Sequence, residues 1–141
     1  MFRNAGAALA GVVTAFVLVM LVEKTGHLIY PPPANLDHTD VEAMETYTAT
    51  LPFLALLFPM IAWVIGTFTG SLIASKIGTA NPLVFAGVVG GMVLAATIAN
   101  LIFIPHPHWF SIVSLIAIAA TAWFAAKVAS GRARGAPTPE G

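Results

Sequence analysis

The stretch TYTATLPFLALLFPMIAWVIGTFTGSLIAS, residues 46–75, carries no charged side chain. A helix rising about 1.5 Å per residue needs roughly 20 apolar residues to cross the ~30 Å of hydrocarbon in a bilayer. This run is long enough with residues to spare, and three other uncharged runs flank it at 5–22, 77–104 and 109–126. None shows the strict apolar–polar alternation of a membrane β-barrel strand. The reading is all-α: an integral membrane four-helix bundle with spans at about 4–26, 51–75, 82–104 and 109–129, forming one domain over residues 1–130.

Composition agrees. Of 141 residues, 58% are hydrophobic and 9% charged, whereas soluble domains carry about 25% charged residues. A water-soluble fold would lack the polar surface to cover itself, so lipid is the solvent for most of the chain. The net charge is zero and there is no basic patch with interleaved aromatics, which excludes nucleic acid as a partner. The absence of cysteine excludes disulfides, thiolate metal sites and thiol catalysis.

The few charges are segregated. Arg3, Lys76, Lys127, Arg132 and Arg134 flank one set of span ends; Glu23, Asp37, Asp40, Glu42 and Glu45 flank the other. Only Lys24 and Glu140 break the pattern. Lysine and arginine accumulate on the cytoplasmic side of short loops. The expected topology therefore has both termini cytoplasmic, and residues 31–50 and the turn at His106 outside. A cleavable signal peptide is the rival reading of residues 1–22, but Glu23-Lys24-Thr25-Gly26-His27 offers no small-x-small cleavage site. The segment 131–141, with Gly131, Gly135, Pro137 and Pro139, reads as a disordered cytoplasmic tail.

Lipid tails are as apolar as leucine, so helices associate in membranes where small residues let backbones approach. Gly66 and Gly70 in the second span, and Gly87, Gly91, Ala95 and Ala99 in the third, form such stripes and are expected to be helix-packing positions. Ala7, Gly11 and Ala15 form a third stripe, and Ala122, Ala126 and Ser130 a fourth. The stripes are expected to hold a monomeric bundle; the alternative makes one an oligomer seam, with Gly66/Gly70 the best candidate. Pro52 fits a helix start, and Pro59 must kink its helix or be compensated. In the outer loop, Pro31-Pro32-Pro33 stops the first helix. Thr39-Asp40-Val41-Glu42 matches a capping box, which predicts a short extracytoplasmic helix from about Asp40 toward Tyr47.

All four histidines lie on the acidic side. Glu23, His27 and Tyr30 are spaced to share one helix face. Glu23 stands about 30 Å along the helix from Arg3, and Asn100 lies at similar depth in the third span. His106 and His108 follow directly. Glu23, His27, Tyr30, Asn100, His106 and His108 therefore form a candidate outer polar layer, while His38 reads as a solvated loop residue. Ionisable groups at membrane depth are costly and often functional, and imidazole is a common metal ligand and proton carrier. The ordinary reading is interfacial: polar side chains at helix ends are satisfied by water and headgroups.

The segments Gly26-His27-Leu28-Ile29-Tyr30-Pro31-Pro32-Pro33, behind Glu23, and Ile104-Pro105-His106-Pro107-His108-Trp109-Phe110, behind Asn100, resemble those of small bacterial four-helix inner-membrane proteins. The resemblance covers most of the chain. It implies a multi-pass protein of the bacterial cytoplasmic membrane and brings no activity with it.

Three roles follow. The first is a non-enzymatic accessory subunit or scaffold, with the lipid bilayer and a homo-oligomer or larger membrane complex as partners and no cofactor. The second is a small oligomeric transporter or channel. The third is an outer-face metal or proton site on Glu23, His27, His106 and His108, with a divalent metal as the cofactor. The chain holds no Gly-x-Ser-x-Gly, phosphate-cradling glycine loop or His-Glu-x-x-His. Haem between helices would require mid-span histidines, and every histidine here is terminal.

Overall fold

The computed structural model describes residues 2–134. Five helices follow one another: α1 (Phe2–Ile29), α2 (Val41–Thr50), α3 (Phe53–Ile77), α4 (Pro82–Phe103) and α5 (His108–Arg134). All but α2 are long and apolar enough to cross a membrane. Their outward faces are apolar. Leu9, Val13, Val17 and Met20 on α1 are exposed, as are Ile112, Ile116, Trp123 and Phe124 on α5. Continuous greasy surface of this kind fits a multi-pass membrane protein, with lipid covering what the bundle does not.

The core is correspondingly small-grained. On α1, Ala7, Gly11, Ala15, Val19 and Gly26 are buried; on α3, Ala62, Trp63, Gly66, Thr67, Gly70, Ser71 and Ala74 are. These faces meet almost backbone to backbone. A Cβ added at Gly11 would lie 2.6 Å from the Gly70 carbonyl oxygen, and one at Gly66 would lie 2.7 Å from that of Ala15. Both glycines of the alternative seam, Gly66 and Gly70, are packed against α1 of the same chain.

On α4 the stripe expected to pack does not. Gly87 and Gly91 would accept a Cβ with nothing within 4 Å, and Ala95 and Ala99 are exposed. The buried face is one residue over: Phe85, Ala86, Val89, Gly90, Val93 and Thr97. That face wins because it supplies both bulk and a gap. Val89 and Val93 are buried between the helices and Phe85 packs on Gly78 just past the end of α3, while Gly90 admits Ala122 of α5, whose Cβ would be 2.6 Å from an added one. Phe110, Ile118, Ala125 and Ala126 complete the contribution of α5. Four buried hydroxyls, of Thr67, Ser71, Thr97 and Ser114, have no hydrogen-bond partner among the described residues.

The Arg3 end is tied by polar contacts. The Arg3 Nε–H donates to the Ile77 carbonyl at 2.8 Å, and the Asn4 side chain accepts from the Thr79 N–H at 2.8 Å and the Thr79 hydroxyl at 3.0 Å. Asn81 caps α4 through the Leu83 N–H, with Pro82 in the first turn, where a missing N–H costs nothing. The helix α5 continues through Arg134. The expected tail is thus corrected for residues 131–134, and residues 135–141 lie outside the described residues.

The cap of α2 also differs from the expected one. Asp40, not Thr39, is the N-cap, its Oδ1 accepting from the Glu42 N–H at 2.9 Å and the Ala43 N–H at 3.2 Å. Thr39 is engaged elsewhere: its hydroxyl donates to the Asp37 carboxylate at 2.7 Å, which pins the preceding turn and moves the helix start on by one residue.

The two kinds of glycine make opposite predictions. Gly70→Ala drives a methyl into α1 and is expected to cost about 1–3 kcal/mol. Gly87→Ala is expected to stay within about 0.5 kcal/mol of the parent. Thermal unfolding of the purified variants in mild detergent separates them, and equal losses would refute the assigned faces.

Candidate binding cavity

Glu23 and His27 stand in the last two turns of α1, which packs on α3, and Tyr30 follows just past its end. Gly26, between them, allows the approach: a Cβ there would be 2.8 Å from Phe58. Tyr30 then sets its ring edge-on to Phe58, with centroids 6.1 Å apart. The three prolines end the helix, and the chain turns back through the Pro33–Leu36 and Asp37–Asp40 backbone bonds. This return lays α2 over the end of the bundle with Met44 and Thr48 buried beneath it, and Pro52 starts α3.

The space beneath α2 is a cavity of about 460 Å³, within the usual range for small-molecule sites. Glu23, His27 and Tyr30 from α1, His38 from the loop, Tyr47 from α2, Asn100 from α4 and His106 beyond it supply its polar lining; Met44, Leu51, Leu56 and Phe58 supply much of the apolar remainder. Of the six candidate residues, five line this one cavity: Glu23, His27, Tyr30, Asn100 and His106. His108 does not; it begins α5 and is exposed.

His38, read from the sequence as merely solvated, joins the lining, as does Tyr47. The signal for α2 was present in the spacing of Met44, Tyr47, Thr48 and Leu51, one amphipathic stripe at helical period. No sequence signal places His38.

His106 is held rigidly. Its Nδ1 lies 2.6 Å from the Ile104 carbonyl oxygen and its ring stacks on Phe110, 4.8 Å between centroids. A carbonyl only accepts, so Nδ1 carries the proton and Nε2 keeps a free lone pair. Burial pushes the His106 pKa down, partly offset by the bond to Ile104. At the covering loop the Asp37 carboxyl sits below the usual carboxylate range, held there first by the Thr39 hydroxyl and then by the Thr39 N–H.

Glu23 is partly buried, beside the Trp63 indole N–H and the His27 imidazole. Among the described residues no lysine or arginine lines the cavity. Pro59 lies inside α3 and has no N–H to give the Ala55 carbonyl its regular helical bond; both residues line the cavity. Among the described residues, no three of the His, Asp and Glu side chains gather closely enough to hold a metal ion. The histidines are spread around the walls.

The partly buried His106 ring implies a pH response. The folded protein takes up this proton at a lower pH than the unfolded chain. Its contribution to stability is therefore present above the ordinary value of 6.5 and is lost as pH falls from there through the lowered folded value. His106→Gln is expected to flatten the thermal-stability curve below pH 6.5; an unchanged slope would assign the response elsewhere. Comparison of the chain with protein-family models, curated proteins and solved structures finds no match.

Proposed function

We propose that the protein is a non-enzymatic multi-pass protein of the bacterial cytoplasmic membrane. In this reading it serves as an accessory subunit that holds a small ligand at its outer face, and both termini are cytoplasmic. The observation that carries it is the cavity under α2, where five dispersed polar residues from α1, α4 and the turn beyond converge on one space. The absence of familiar catalytic motifs supports a binding role. The segregation of basic and acidic residues to opposite ends supports the orientation.

A pore through one chain has less support. Inward of the cavity, α1 and α3 close on each other along Gly11, Ala15, Gly66 and Gly70, and the Trp63 ring is buried against Phe110, 5.8 Å between centroids. The metal reading rests on histidines that the fold spreads apart.

The orientation is tested by labelling, since the chain has no cysteine of its own. In intact cells a membrane-impermeant maleimide is expected to modify Asn35→Cys, and to reach Thr79→Cys only after lysis. The opposite pattern would invert the topology. The ligand role is tested by native mass spectrometry of protein released from detergent. Wild type is expected to retain a small molecule that Ala55→Trp, which fills the cavity, loses while keeping its thermal stability. Equal occupancy in both would reject the cavity as the site.

A further inference from the structure

The cavity has a chemical polarity that its volume does not reveal. Beside hydroxyl, amide and imidazole groups that can donate or accept, from Tyr30, Tyr47, Asn100, His27 and His38, it holds three groups that only accept. Glu23 brings a carboxylate with no lysine or arginine across from it. His106 brings a lone pair on Nε2, because its Nδ1 proton is spent on Ile104. Ala55 brings a carbonyl that Pro59 deprives of its helical donor.

The helix ends add to this. The last turns of α1, α2 and α4 all reach the lining, against the first turns of α3 alone. Helix C-termini carry partial negative charge. The covering segment 31–50 holds four acids and neither lysine nor arginine, so the approach is electronegative as well. The rings of Tyr30, Tyr47 and Phe58 belong to the lining, and the face of an aromatic ring attracts a cation.

We infer that this cavity takes an organic ammonium ion carrying an apolar body, with Glu23 as its counter-charge and the aromatic rings around its methyl or methylene groups. The inference rests on reading the cavity as a ligand site and adds the class of ligand. An anion would meet the Glu23 carboxylate and three helix C-termini. A neutral molecule of the same shape would leave the carboxylate with only the Trp63 N–H and the His27 imidazole beside it.

The test uses the full chain in mild detergent and isothermal titration calorimetry. The probes are benzyltrimethylammonium, its uncharged isostere neopentylbenzene, and benzenesulfonate. Benzyltrimethylammonium is expected to bind at least about ten-fold more tightly than either of the others. Glu23→Gln keeps the side-chain shape and an acceptor for Trp63, and is expected to weaken the cation at least about ten-fold while leaving the isostere unchanged.

Equal binding of cation and isostere by wild type, or preference for the sulfonate, would overturn the inference and leave the cavity standing as a ligand site. Unimpaired cation binding by Glu23→Gln would do the same. Failure of all three probes to bind wild type would overturn the inference; the cavity itself then falls as well if Ala55→Trp and wild type retain the same co-purified material.

Discussion

Association of α1 with α3 is the contact on which the rest of the bundle depends. In lipid there is no hydrophobic force to press helices together, because the surrounding chains are as apolar as the side chains they would replace. What remains is packing at short range, and that requires removing side chains from the seam. Gly11, Ala15, Gly66 and Gly70 do so, leaving carbonyl oxygens where Cβ atoms would stand. The cost is the loss of side-chain bulk, and larger residues from neighbouring helices make it up: Val89 reaches into the space over Gly11 and Gly70, and Phe85 and Phe110 fill the ends.

The seam also fixes the chemistry at the Glu23 end. Outward from Gly66, α1 and α3 stay in contact through Glu23 beside Trp63 and Gly26 on Phe58, and these same turns line the space that α2 covers. The polar residues lining that space occupy helix ends, where a membrane protein is permitted to place them.

Much of this was legible in the sequence because it rests on one-dimensional quantities. Run length and charge gave four spans, and Glu23-x-x-x-His27-x-x-Tyr30 gave one helix face. What failed were choices between near-equal alternatives. α4 offers two small faces, one through Gly87 and Gly91 and one through Ala86 and Gly90; only the bulk of Phe85, Val89 and Val93 beside the second decides, and that depends on the gap left by other helices. Thr39 and Asp40 are both good caps, and the tie is broken by the Asp37 turn that engages Thr39. His106 and His108 looked alike until Ile104 and Phe110 claimed one of them. His38 was placed by the path of a loop, which no periodicity encodes.

The length of α1 has a consequence for where the cavity sits. Its 28 residues make a rod of about 42 Å, against about 30 Å of hydrocarbon. A bilayer of that thickness with the Arg3 end at one interface would put the turns that carry Glu23 and His27 at and just above the other, where a change in bilayer thickness is felt. A thicker bilayer surrounds those turns with hydrocarbon; a thinner one leaves them among headgroups and water. The effective dielectric around Glu23, and with it the strength of any charge held there, is then a property of the host membrane as much as of the protein.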